Sequence, residues 1–231
     1  MTQIYEDGTY LDNNPLWHEE DSPWKAKQIE NIINKNSLPP QSICEIGCGA
    51  GEILKQMSEK NTDDKKYFGY EISPQAFEIC NKKSNANLSF KLANLLDEPD
   101  TFFDIAMAID IFEHVENYFD FLRKLKQKAK YKIFHIPLDL SVQTVLRSSP
   151  IIKGRKSVGH IHYFTKETAL ETLKDTGYEI IDYSYTAGRL ELPNLGWKAN
   201  LLKLPRKLAF SINQDLTVRI LGGYSLLVLA K

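Results

Sequence analysis

The chain has 231 residues, 42% of them hydrophobic and 26% charged, which is enough apolar material for one packed domain. A formal net charge of −1 provides no general attraction to nucleic acid. Three cysteines, odd in number and without zinc-site spacing, exclude a disulfide framework and read as reduced thiols.

Residues 1–21 are polar, and their start lacks the basic then apolar profile of a secretory leader, so the cytoplasm is the expected compartment. Trp17 and His18 stand in this arm, where an aromatic can anchor it to the body. A helix is predicted after Ser22, with Pro23 at its first position, through Ile29, Ile32 and Ile33 to the stop at Leu38-Pro39-Pro40. Next comes a short apolar run (Ile43, Cys44, Ile46), then Gly47, Gly49 and Gly51 at two-residue spacing, then an amphipathic pattern at Ile53, Leu54 and Met57. This reads as strand, tight turn, helix. Glycine is needed where backbone takes positive φ or lies close against a ligand, so a flat polar molecule can rest there. A dinucleotide fingerprint needs a third glycine where Glu52 stands, and a P-loop needs Lys before Ser or Thr after the last glycine. Neither pattern is present.

A second strand, Tyr67 to Ile72, ends at Glu71, and Ser73 caps a helix that opens with Pro74 and runs to about Lys83. Glu71 lies twenty residues beyond Gly51, the separation at which a βαβ unit delivers a carboxylate to a ribose diol. A short strand over Leu88–Leu92 leads to Ala93-Asn94-Leu95-Leu96, where Asn94 is also suited to start a turn. Phe103 to Ile109 is almost continuously apolar, as for a central parallel strand, and it ends in Asp110-Ile-Phe-Glu-His-Val115. Glu113 and His114 there fit a pair that starts a helix and shapes the loop. A helix over Tyr118, Phe119, Leu122 and Leu125 precedes a strand from Tyr131 to Ile136, ending at Pro137. Residues 138–158 show no regular pattern but contain Arg147, Lys153, Arg155 and Lys156. His160 and His162 face one side if the chain is extended, although a metal pair there lacks evident third and fourth ligands. Thr165 caps a helix over Lys166–Thr176, closed by Gly177. Two final strands, Tyr178 to Thr186 and Gly223 to Ala230, flank an insert of residues 188–219 in which Trp197, Leu201, Leu202 and Leu204 interleave with Lys198, Lys203, Arg206 and Lys207. The apolar window from Tyr224 to Ala230 is far too short to span a bilayer. Seven strands with helices between the first six make a doubly wound α/β sheet in a single domain, residues 1–231.

Glu45 two places before Gly47-x-Gly49-x-Gly51, Glu71 after the second strand and the Asp110–Val115 motif together resemble the class I S-adenosylmethionine (SAM) dependent methyltransferases, in their small-molecule and lipid branch. The resemblance implies a Rossmann-like sheet in the order 3-2-1-4-5-7-6 with strand 7 antiparallel, SAM as methyl donor and S-adenosylhomocysteine as product. It assigns Glu45 to the cationic methionine end, with Gly47, Cys48, Gly49 and Gly51 making room for the rest. Glu71 and Ile72 fall at the ribose and Asp110 and Ile111 beside the methionine moiety. Asn94 and Leu95 fall at the adenine, where the family commonly has an acidic residue. In this family the helix before the first strand often packs over the cofactor, so the arm 1–40 with Trp17 and His18 becomes a lid and residues 188–219 a cap over the acceptor.

The expected reaction is in-line transfer of the methyl group to an oxygen, nitrogen or carbon nucleophile on a small-molecule or lipid-like acceptor, with alignment, water exclusion and proton removal as the protein's tasks. Histidine is the side chain that titrates nearest neutrality, so His160 or His162 ranks first as base and His114 second. His135 is expected to face the core or a helix. The apolar and cationic insert suits contact with an anionic membrane surface. Rival readings are a non-catalytic SAM-binding scaffold, a dehydrogenase opposed by Glu52, and a nucleic-acid methyltransferase. The last rests on basic clusters alone, which are usually solvated faces, and lacks the Pro-Pro-aromatic motif after strand 4.

Overall fold

The computed structural model describes residues 19–60, 64–192 and 197–231, so Trp17 and His18 lie outside the described residues. The run at Phe103–Ile109 becomes a strand buried on both faces, with Ile105, Ala106, Met107 and Ala108 fully inaccessible. Such a strand is stable only between neighbours and under helices on both sides.

The strands are β1 (Ser42–Ile46), β2 (Lys66–Glu71), β3 (Leu88–Leu92), β4 (Phe103–Ile109), β5 (Ala129–Pro137), β6 (Ile180–Thr186) and β7 (Ser225–Ala230). They form one sheet in the order β3-β2-β1-β4-β5-β7-β6, as the family resemblance implies. β7 runs antiparallel to both neighbours while the other pairings are parallel. Between them lie α1 (Ser22–Lys35), α2 (Glu52–Lys60), α3 (Pro74–Asn81), α4 (Tyr118–Lys126), α5 (Val142–Arg147), α6 (Ser149–Ser157), α7 (Lys166–Asp175), α8 (Gly188–Glu191), α9 (Trp197–Ile212) and α10 (Gln214–Leu221). On one face, Ile29 and Ile32 of α1 and Leu54 and Met57 of α2 pack on Ile43, Ile105 and Met107. On the other, Phe121, Leu122 and Leu125 of α4 and Leu173 of α7 pack around Phe134 and Tyr178. No helix among the described residues is long and apolar enough to cross a membrane.

Three local expectations change. α1 begins at Ser22 itself, because Asp21 occupies the cap position and turns its carboxylate to Lys25. The stretch 138–158 carries α5 and α6. Ser141 and Thr144 close a reciprocal capping box at the start of α5, and Pro150 sits in the first turn of α6. The described part of the insert is mostly helical, in α8, α9 and α10, and Pro205 stands inside α9.

Gly51 has φ +74, and a Cβ there would meet the Phe90 ring at 2.6 Å and Cys80 Cβ at 2.7 Å. This glycine therefore serves the seating of the glycine turn on β3 and α3 as much as the approach of a ligand. Gly51→Ala is expected to cost about 2 to 4 kcal/mol, from left-handed strain plus overpacking. Urea unfolding checks it; an unchanged midpoint would mean the loop relaxes freely.

Candidate active site

A cavity of about 950 Å³ opens at the carboxyl ends of β1, β2, β4 and β5. That edge is where open α/β sheets place ligands, because the strand ends leave loops free to carry polar groups. Gly47 and Cys48 donate their backbone N–H groups to the Tyr70 carbonyl at 2.8 and 3.1 Å, which hangs the glycine turn on β2. Gly49 donates to Glu71 Oε2 at 2.7 Å, while Ile72 and Ser73 donate to Oε1 at 2.8 Å each. Glu71 thus clamps the turn and the start of α3. Burial outweighs these three amides and raises its pKa.

Glu45 is 3% exposed, and its Oε2 has no hydrogen-bond partner among the described residues. Burial pushes its pKa up to about 8, against the opposing charge of Lys25. An unpartnered carboxylate on a cavity wall is a receptor for a cationic donor.

Asp110 ends β4 in the left-handed region, at φ +54, and its backbone N–H donates to the His135 carbonyl. Its carboxylate meets His135 Nδ1 at 2.6 Å and Lys25 Nζ at 2.9 Å. Burial works against the charged form, yet His135 and Lys25 hold this carboxyl well below the usual range. Lys25 is raised in turn: burial would discharge it, but Asp110 and Asp21 prevail. His135 Nε2 faces the Thr186 hydroxyl at 2.8 Å, and Trp24 of α1 stands edge-on to its ring. Trp24 also donates from Nε1 to Glu191 at 2.7 Å, tying α1 to α8.

On the opposite wall, His160 Nδ1 lies 2.6 Å from Asp139 Oδ2, and its ring is edge-on to His114 at 4.8 Å. Burial, then the neighbouring His160, lower the His114 pKa to about 4. Glu113 is fully buried with neither carboxylate oxygen partnered among the described residues, and burial raises its pKa well above the ordinary value. Donor atoms of Glu113, His114 and His160 lie within 4.8 Å of one another.

Glu45, Gly47, Cys48, Gly49, Gly51, Glu71, Ile72, Asn94, Asp110, Ile111, His114 and His160 therefore share one cavity. Two expected residues do not. Leu95 is fully buried in the core, because the turn over Leu95–Asp97 rotates it inward and brings Leu96 to the cavity instead. His162 leaves the wall because the chain is not extended there: Ile161 and His162 both donate backbone N–H to the Glu113 carbonyl. Its Nε2 then bonds the Val115 carbonyl at 3.0 Å and its ring packs on Tyr118, so it braces the loop after β4. Asn94 accepts from Leu96 N–H and donates to Asp97, so both ends of its amide are used locally. Sequence reasoning missed Lys25, Trp24 and Asp139; His135, expected to face the core or a helix, is buried against Trp24 of α1 and lines the cavity as well. Proximity to the carboxyl end of β5 was the available signal for His135 and Asp139; for Lys25 there was none.

A family described as "Methyltransferase domain" matches residues 17–183. The ubiquinone biosynthesis O-methyltransferase of Rickettsia typhi is 24% identical over 109 residues, 45% of this chain and 44% of that protein. The norajmaline N-methyltransferase of Rauvolfia serpentina is 26% identical over 112 residues, 46% of this chain and 38% of that protein. The chain thus spans less than half the length of these curated relatives. The crystal structure of magnesium protoporphyrin IX methyltransferase from Synechocystis PCC 6803 with bound S-adenosylhomocysteine superposes with a TM-score of 0.60 at 14% identity, over 90% of this chain and 82% of that one, a likeness of fold.

The raised pKa of Glu45 makes stability depend on pH. From about 4.5 up to about 8 the folded chain keeps a proton that the unfolded chain has lost, so this contribution is lost as pH rises through that window and is level above it. Glu45→Gln removes the dependence. Its stability relative to the native chain is expected to rise by a few kcal/mol between pH 5 and pH 8.5 in chemical unfolding; a constant difference would place the ionised carboxylate in contact with water.

Proposed function

We propose, for a chain that belongs to the methyltransferase domain family, that it transfers a methyl group from SAM to an oxygen or nitrogen of a small-molecule acceptor. The observation that carries this reading is the unpartnered, buried Glu45 oxygen at the foot of a turn whose three glycines all have positive φ. A ligand with a cationic methionine end satisfies that oxygen, and Glu71, with three of its roughly four acceptor sites taken by amides, retains one for a ribose hydroxyl. The sulfonium of SAM supplies a methyl group that is already electrophilic. A cavity of about 950 Å³ lies at the upper end of the roughly 300–1,000 Å³ usual for ligand sites, consistent with cofactor and acceptor side by side.

The protein's own chemistry is alignment and proton transfer. His160 donates Nδ1–H to Asp139, which leaves Nε2 with its lone pair as the proton acceptor. The acceptor's O–H or N–H proton would pass to His160 Nε2 as its heavy atom takes the methyl group, with the methyl–sulfur bond of SAM breaking and S-adenosylhomocysteine leaving. His114, neutral at pH 7, stands beside His160 and adds no charge against the protonated ring. The O- and N-methyltransferase relatives support an acceptor heteroatom of this kind. Incubation with methyl-labelled SAM and fractionated cell extract identifies the acceptor, and binding of SAM without label transfer to any fraction would favour a scaffold role instead.

In calorimetry, SAM and S-adenosylhomocysteine are expected to bind and NAD not. Glu71→Ala should weaken SAM at least about tenfold and also lower the Tm, since a ribose bond and the clamp on Gly49 go together. NAD binding without SAM binding would overturn the assignment.

Once an acceptor is known, His160→Ala is expected to lower turnover roughly 10²-fold or more with SAM affinity preserved. Asp139→Asn should also slow turnover by destabilising the required tautomer, whereas His162→Ala should keep turnover and lose stability. Equal turnover in all three variants would leave the proton to water.

A further inference from the structure

The loop between β5 and α7 and the insert between β6 and β7 each rise from the cavity rim, at Leu138, Asp139 and Val158 for the first and at Gly188 and Leu192 for the second. They meet outside it. α5 packs against α10, and a Cβ on Gly222, just after α10, would lie 2.5 Å from Ser141 Oγ at the α5 cap. α6 continues from α5, and α9 packs on α10, so the four helices are contiguous. Arg206 donates to the Gly222 carbonyl and Phe210 stacks on Tyr224 at 5.0 Å, which fixes the inner side of α9.

The outer side is apolar where solvent would favour polar residues. Leu201, Leu204, Leu208 and Ile212 recur at helical spacing along α9 and are all more than half exposed. α5 adds Val142, Val145 and Leu146, the last 81% exposed; Ile152 of α6 and Leu216 and Ile220 of α10 complete the face. Eleven of the sixteen exposed large apolar side chains among the described residues lie on these four helices, a concentration that scattered surface apolars do not produce. Charge is equally concentrated. The four helices contain nine Lys and Arg against one carboxylate, Asp215, in a chain of net charge −1. Asp215 is engaged with Lys166 and Tyr185. Arg147, Lys153, Arg155, Lys156 and Lys207 are exposed and make no ion pair with a carboxylate among the described residues.

We propose that this four-helix face docks on an anionic lipid bilayer. Leucine, isoleucine and valine side chains would enter the headgroup boundary while exposed lysines and arginines meet the lipid phosphates. The mixture discriminates among occupants. A second copy in a two-fold dimer would set this cationic face against itself. A nucleic-acid backbone would neutralise the cations but leave the leucine stripe of α9 uncovered. A bilayer satisfies both at once and places the cavity rim at the lipid surface, where an acceptor with an apolar body is concentrated.

Vesicle co-sedimentation tests this on the full chain, and SAM calorimetry tests the methyl-transfer assignment separately. Binding is expected to vesicles of phosphatidylcholine mixed with phosphatidylglycerol in low salt, to weaken in high salt and to be absent with phosphatidylcholine alone. The combined Lys153→Glu, Arg155→Glu, Lys156→Glu variant should lose at least about tenfold in partitioning, and so should Leu204→Ser with Leu208→Ser, each with an unchanged Tm. Failure to bind anionic vesicles, equal binding to neutral ones, or full binding by the folded charge-reversed variant overturns the proposal. So does a dimer in sedimentation velocity that the same substitutions disperse while vesicles are ignored, or retention on duplex DNA or RNA without retention on vesicles.

Discussion

Asp110 is the point at which three segments distant in sequence are held together by charge. It terminates β4 in a conformation that few residues other than glycine adopt, and from there its carboxylate reaches Lys25 on α1 and His135 on β5. His135 passes the connection on to Thr186 at the end of β6, across β7 in the sheet. Taking one member of such a buried set away leaves the others uncompensated, which is far costlier than the net contribution of the set. α1 is therefore locked over the cavity by an electrostatic requirement as well as by Ile29 and Ile32 in the core.

The same edge shows how environment divides carboxyl groups into different states. Asp110 has Lys25 and His135 against its carboxylate, which is held well below the usual range, while Glu45, on the neighbouring strand, has burial as its largest influence and is pushed up to about 8. Glu113 is shifted in the Glu45 direction, without any hydrogen-bond partner for its oxygens among the described residues. Of these raised carboxyls Glu45 lines the cavity, as does Glu71, which burial also raises, and each ionises most readily against a cation. Asp139 and His160 pair at 2.6 Å on the same cavity, apart from the Asp110 cluster.

The two excursions that bound the cavity are also those that build the apolar, cationic face. Their inner sides are committed to the body through Phe210 on Tyr224 and Ser141 against Gly222, so the outer stripe of α9 is not available to the core. Site and surface are thus two sides of one set of helices, and the chemistry of each constrains how the other can vary.

Sequence by itself determined the strands and the glycine turn, because these rest on local rules, while the order of the sheet was implied by the family resemblance. Continuous apolar runs demand strands covered on both faces, as at Phe103–Ile109; positive φ favours glycine, as at Gly47 and Gly51; and a helix start favours a capping side chain, as at Ser73 and Thr165. Glu71 was legible from its spacing to the glycine turn, whereas Glu45 and Asp110 were singled out because their motifs resemble those of the class I methyltransferases. Tertiary structure alone decided which side chains meet. Lys25 and His135 lie 110 residues apart in the chain and share one carboxylate only because α1 crosses the end of β4. His160 and His162 lie two residues apart and separate, because hydrogen bonds from Ile161 and His162 to Glu113 bend the chain between the cavity and the loop. Periodicity is a property of neighbours in sequence and can assign a residue to a strand or a helix; a charge pair or a bent loop depends on contacts closed by folding.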